Sequence, residues 1–201
     1  ISRFDRRTRA VVKIEDGCNR FCSYCIIPYS RGRVRSKPIG ELKCELQRLS
    51  DAGFAEVVLV GLILSAYGTD IGLSICDAVE LADRMNFRRV RLGSLEPDHI
   101  TDEVIDRLAQ LPSFCPQFHI SLQSGCNNTL KAMNRHYSAE ENFELCQKLR
   151  ASFPEATITT DIMVGFPTES EEDFAENVRF ALKIGFEKVH VFPYSPREGT
   201  K

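Results

Sequence analysis

The 201-residue sequence has no long apolar run. Its longest such stretch, Val57 to Ala66 with Gly61 inside, falls well short of the roughly 20 residues a helix needs to span a bilayer. No basic segment leading into an apolar one opens the chain, so no signal peptide is visible. A first residue of Ile1 instead of Met is what an excerpt of a longer protein would show. Internal repeats and low-complexity tracts are missing. No Gly-x-Gly-x-x-Gly follows a predicted strand, which argues against a dinucleotide-binding fold. Nothing marks the eight cysteines as a secreted disulfide framework, and their number then fits a reducing cytoplasm.

What is present is ordinary in bulk and uneven in detail. Hydrophobic residues at 43% and charged ones at 27% suit a soluble globular chain, with length for one large domain or two small ones. Residues 1–37 hold 10 Lys/Arg against 3 Asp/Glu, a charge of +7, whereas the remainder carries -9. The basic part comprises Arg3, Arg6, Arg7 and Arg9, then Arg31, Arg33, Arg35 and Lys37. Such a patch attracts a polyanion such as RNA, and equally describes a solvated basic edge. Charge alone does not decide between them.

The arginines flank Gly17-Cys18-Asn19-Arg20-Phe21-Cys22-Ser23-Tyr24-Cys25. Three thiols this close can each give a thiolate to one iron–sulfur cubane, whose protein ligands are usually four cysteines. With three, one iron stays open, and an open position separates a catalytic metal centre from a closed one. A zinc site needs a fourth ligand, for which Cys44 is the nearest candidate; no Cys-x-x-Cys or His pair elsewhere completes it. Phe21, Tyr24, Ile26, Ile27 and Pro28 would form an apolar collar or simply pack. The spacing of Cys18, Cys22, Tyr24 and Cys25 resembles the signature of the radical S-adenosylmethionine (SAM) enzymes. That resemblance implies a 4Fe-4S cluster on Cys18, Cys22 and Cys25, and SAM chelated at the free iron. It also implies reductive cleavage of SAM to a 5′-deoxyadenosyl radical, and an electron donor that the sequence does not identify.

Periodicity predicts strands over 9–15, 57–61, 89–95, 118–123, 157–165 and 188–194. Helices are predicted over 39–51, 73–85, 101–111, 139–152 and 170–184. Six strands alternating with helices read as an α/β fold with a parallel sheet. The resemblance makes this a partial (βα)6 barrel, open at one side, with the site at the carboxyl ends of the strands. On the fourth strand Phe118, Ile120 and Leu122 share the helix-facing side, and His119, Ser121 and Gln123 share a polar one. His119 by itself reads as a hydrogen-bonded core histidine.

The strand ends narrow the likeness. Gln123-Ser124-Gly125, then Leu130, Met133 and Arg135, then Gly165-Phe166-Pro167, then Tyr194-Ser195, Arg197 and Gly199-Thr200 resemble the core of the methylthiotransferases. Gly93-Ser94-Leu95-Glu96-Pro97 and His119-Ile120-Ser121-Leu122-Gln123 are most similar to the branch that modifies N6-threonylcarbamoyladenosine in tRNA. The resemblance implies a transferase that converts C2–H of that base to C2–SCH3. Sibling branches act on isopentenyladenosine in tRNA or on a ribosomal-protein aspartate. A non-catalytic zinc or RNA-binding module is the alternative of another class.

Carried onto this sequence, Gln123 and Arg135 are expected at the ribose and carboxylate of SAM, because an arginine fork bonds both carboxylate oxygens. Gly165, Phe192 and Tyr194 are expected to border the adenine, and Glu96 to face SAM or substrate. Ile63 stands where the family has a polar residue, so a contact there would be lost, and Thr168 replaces a commoner Gly. Residues 1–201 read as the radical SAM core alone. The second-cluster domain and the C-terminal RNA-binding barrel of the family have no counterpart in them. Cys44, Cys76, Cys115, Cys126 and Cys146 are scattered and read as structural thiols, with Cys126 alone placed near the site.

Overall fold

Helix and strand alternate along the chain much as the periodicity requires. A computed structural model describes residues 8–200, so Arg3, Arg6 and Arg7 lie outside the described residues. The first strand ends sooner than expected: β1 (Arg9–Lys13) is followed by a two-residue β2 (Glu15–Asp16). β2 pairs antiparallel with β3 (Arg35–Ser36), and the cysteine loop and α1 (Ile27–Arg31) lie between them. α2 (Ile39–Asp51) buries Leu42, Leu46 and Leu49 on one face, as their spacing dictates. β4 (Glu56–Val60) leads to α3 (Ile75–Asp83), which is shorter than the predicted 73–85 because Ser74 and Asp77 form a capping box at its start.

The strand predicted over 89–95 is broken. β5 (Arg89–Leu92) and β6 (Ser94–Leu95) flank Gly93, whose N–H turns to the Leu59 carbonyl at 2.9 Å. α4 (Asp102–Ala109) starts at Thr101, whose hydroxyl accepts from the Val104 N–H. β7 (Gln117–Gln123) precedes an unpredicted short helix, α5 (Asn127–Ala132). α6 (Ala139–Ser152) and α7 (Glu171–Ile184) each begin in a capping box, and Gly185 closes α7 in a left-handed turn. β8 (Thr157–Val164) and β9 (Lys188–Pro193) complete the order.

The Gly93 break divides the sheet into β1-β4-β5 and β6-β7-β8-β9, parallel throughout. The carboxyl ends point one way, so the loops after β2, β6, β7, β8 and β9 gather at one edge of an open, unclosed array. Phe118 and Ile120 join Leu145 and Leu149 of α6 in the main core. The opposite face of β7 is polar. There His119 contacts Thr159 Oγ1 at 2.9 Å and Asp161 at 3.2 Å, the hydrogen-bonded core histidine read from sequence. Among the described residues no helix is long and apolar enough to cross a membrane.

Candidate metal and cofactor site

The cysteine loop is held by its backbone. Gly17 has φ +90, and a Cβ there would lie 1.9 Å from the Arg33 carbonyl, so only glycine lets the loop rest on 32–33. The next N–H, of Cys18, donates to the Gly32 carbonyl at 2.9 Å. At the far side, the turn after α5 clamps the loop. Asn134 donates its amide to the carbonyls of Phe21 at 3.0 Å and Arg20 at 3.4 Å. Ser23 donates its N–H to the Met133 carbonyl and its hydroxyl to that of Ala132. Arg20 reaches His136 Nδ1 at 3.0 Å and Asp98 at 2.5 Å. Phe21 pays for this fixation with a left-handed φ of 51, uncommon for an aromatic residue. Arg20, Ser23 and Asn134 were not singled out from sequence; the one signal was that Asn134 sits within the Leu-x-x-Met-x-Arg stretch and that Asn tolerates left-handed backbone.

All eight cysteines are free. Cys22 is buried, and Cys18 and Cys25 are half-buried. Burial pushes the Cys18 and Cys25 thiols above their ordinary 9.0, and each is raised further by the Cys22 thiol beside it. Without metal both are therefore protonated at neutral pH. The three sulfurs share one locale without closing on a point. Among the described residues, the only trio of potential ligands within 4.8 Å of one another is Cys126, Asp173 and Glu176. A single tetrahedral ion with bonds near 2.3 Å needs its sulfurs about 3.8 Å apart. The three loop thiols influence one another electrostatically but are not drawn together within that distance. Cys126, expected near this site, instead directs its thiol at Asp173 (3.1 Å) and Glu176 (3.5 Å) of α7.

Glu96 and Arg135, far apart in sequence, meet at Cys22. The Arg135 side chain is 5% exposed and bonds Glu96 at 2.5 Å, the Ser121 carbonyl at 3.0 Å and the Tyr137 hydroxyl at 2.9 Å. Its remaining arm points to Cys22 Sγ at 3.3 Å and the Tyr24 hydroxyl at 3.5 Å. Burial works against this charge, but the Tyr137, Glu96 and Tyr24 oxygens outweigh it and hold the guanidinium firmly protonated.

Gln123 lies where the β7–β8 register shifts, with φ +68, and its side-chain amide makes no hydrogen bond among the described residues. Gly165 has φ +70 and open space where a Cβ would stand, so its turn, closed by Glu169, is what requires glycine. Phe192 and Tyr194 sit with Tyr24 around Met133, Met163 and Phe166, an apolar cluster joining the cysteine loop to the ends of β8 and β9. Phe166 makes edge contacts with Tyr24 and Tyr194, at 6.4 and 5.4 Å between centroids.

The structure corrects the expected collar: Phe21 and Ile26 face outward, while Tyr24 and Pro28 turn in. Ile63 is buried with Val34 and Ala66 beside Cys18, an apolar wall at the position where the sequence led us to expect a polar contact to be lost. The N–H of Ile63 is taken by Glu15 Oε2 at 2.8 Å. Burial raises the Glu15 carboxyl above its ordinary 4.5, and its Oε1 is buried without a partner among the described residues. Thr168 is exposed in the turn after Phe166.

A family model described as the Radical SAM superfamily matches residues 12–181. The chain is 42% identical to "Threonylcarbamoyladenosine tRNA methylthiotransferase MtaB" of Chlamydia pneumoniae, covering 100% of this chain and 48% of that protein. It is 41% identical to the protein of that name from Bacillus subtilis, over 98% of this chain and 44% of the relative. A "tRNA-2-methylthio-N(6)-dimethylallyladenosine synthase" of Pseudothermotoga lettingae is 39% identical, over 95% of this chain and 44% of the relative. The chain thus spans about half the length of the curated relatives it matches. Among solved structures, the radical S-adenosylmethionine methyltransferase TsrM of Kitasatospora setae superposes with TM-score 0.75 at 16% identity, over 92% of this chain and 36% of that one. Coproporphyrinogen III oxidase of Escherichia coli gives 0.68 at 15% identity, over 95% and 46%. At these identities the likeness is one of fold.

Proposed function

The chain belongs to the radical SAM superfamily, and from that premise we propose that it is the catalytic core of a tRNA methylthiotransferase. The reaction is conversion of C2–H to C2–SCH3 on N6-threonylcarbamoyladenosine. The observation that carries the reading is the Arg135 guanidinium held between Glu96 and the Cys22 sulfur at the strand ends, in a chain 42% identical along its whole length to a protein named for that activity.

Cys18, Cys22 and Cys25 would hold a 4Fe-4S cluster through their thiolates. The cluster and SAM together supply electron transfer and hydrogen abstraction when bound, chemistry that no side chain provides. The chain's own residues supply position and shielding. Arg135 donates to the Cys22 sulfur, the kind of contact that tunes a cluster ligand. Arg135 would also hold the SAM carboxylate, since a guanidinium fork has donors enough to bond a second carboxylate while Glu96 stays paired to it. The unpaired amide of Gln123 is suited to ribose hydroxyls. Tyr24, Phe166, Phe192 and Tyr194 form an apolar cluster that would keep water from the strand ends, and Phe192, Tyr194 and the Gly165 turn would border the adenine of bound SAM.

Nucleoside analysis of tRNA tests the substrate. In cells lacking their own enzyme, expression of the full-length protein is expected to produce 2-methylthio-N6-threonylcarbamoyladenosine. Methylthiolation of isopentenyladenosine instead would move the assignment to the sibling branch, and unmodified tRNA would overturn it.

A further inference from the structure

The exposed side of the cysteine loop carries chemistry that the cofactor site does not use. Phe21 is 47% and Tyr29 59% exposed, and their rings meet edge to face with centroids 5.4 Å apart. Phe21 is turned outward by its left-handed backbone, which Asn134 secures through the Phe21 carbonyl. Strained positions of this kind persist where the surrounding structure over-determines them, often at functional sites. Two and four residues beyond Tyr29, Arg31 and Arg33 are exposed with no carboxylate in ion-pair distance among the described residues. Arg35 stiffens this stretch by donating to the carbonyls of Arg31 and Arg33 at 2.8 and 3.0 Å. Gly17 lies on the Arg33 carbonyl and Cys18 bonds that of Gly32, so the patch is fixed directly against the first cluster cysteine.

Exposed aromatic faces and unpaired guanidinium groups carried on one short segment match single-stranded nucleic acid, where bases stack and flanking phosphates take the cations. We propose that Phe21, Tyr29, Arg31 and Arg33 form a contact surface for unpaired nucleotides of the RNA substrate, with a base on the Tyr29–Phe21 pair and phosphates on the arginines. This rests on the RNA-substrate reading above and adds to it where the strand lies. The loop is delivered next to Cys18, on the same rigid segment that holds the cluster ligands.

The test is fluorescence anisotropy of the reconstituted protein with a fluorescein-labelled stem-loop RNA bearing unpaired adenosines, titrated over a salt series. Tyr29→Ala is expected to weaken binding about tenfold, the scale of one lost base stack, and Tyr29→Phe to retain it. Arg31→Gln and Arg33→Gln are each expected to lower the slope of log affinity against log salt by about 0.7. Arg179→Gln, exposed on α7, serves as a remote control expected to leave both unchanged. Iron content and melting temperature of each variant show whether the loop is still folded. Equal affinity and slope in every form would overturn the inference and leave the RNA-substrate reading standing, with a protein partner as the patch's other occupant. Binding by no form would overturn it too, and the nucleoside analysis would decide the substrate separately.

Discussion

At the scale of single residues, the site depends on which polar groups are paired. Arg135 and Glu96 could be picked from the strand-end motifs, but their pairing could not, because 39 positions separate them and only the fold brings them to Cys22. Glu15 closes the strand predicted over 9–15, and no sequence pattern marks it as buried. Its burial has a consequence for stability. The folded protein holds the Glu15 proton above the ordinary 4.5, so protonated Glu15 contributes stability that is complete below 4.5 and is lost as pH rises through the raised value. Glu15→Gln cannot ionise. Its melting temperature should match wild type at pH below 4.5 and exceed it at pH 8. Equal differences at both pH values would contradict buried ionisation at this position.

Elements were legible where length and caps agree. α2, α6 and α7 match their predicted spans closely because each has a long apolar face, and α6 and α7 also start in capping boxes. α1, α5 and β3 were missed because five, six and two residues are too few for a period to show. These short pieces carry the site: α1 follows Cys25, β3 closes the cysteine loop, and the turn after α5 clamps it. The clamp can be tested apart from its backbone shape. Asn134→Gly keeps access to φ 56 but removes the amide bonds to Arg20 and Phe21. We expect a loss of about 1 kcal/mol in thermal or denaturant unfolding, together with less iron retained per chain after reconstitution. Full iron retention would show that the loop holds its shape without the clamp.

For the molecule as a whole, strand and helix alternation was enough to give a parallel α/β fold, and the motif likeness enough to give its open form. The division into three- and four-stranded sheets was not legible, since Gly93 inside the alternating stretch 89–95 looks like any strand glycine until its N–H is seen turning to Leu59. The open array leaves the strand ends free to receive cofactors, and the loop that carries the three thiols is bound there through Arg135 on Cys22. The most direct measurement is therefore anaerobic reconstitution with iron and sulfide, followed by SAM and dithionite, with 5′-deoxyadenosine quantified by chromatography. Wild type should form it, and Cys18→Ala, Cys22→Ala and Cys25→Ala should each fall to background. A folded protein that takes up zinc and forms no 5′-deoxyadenosine would contradict the radical SAM assignment of this site.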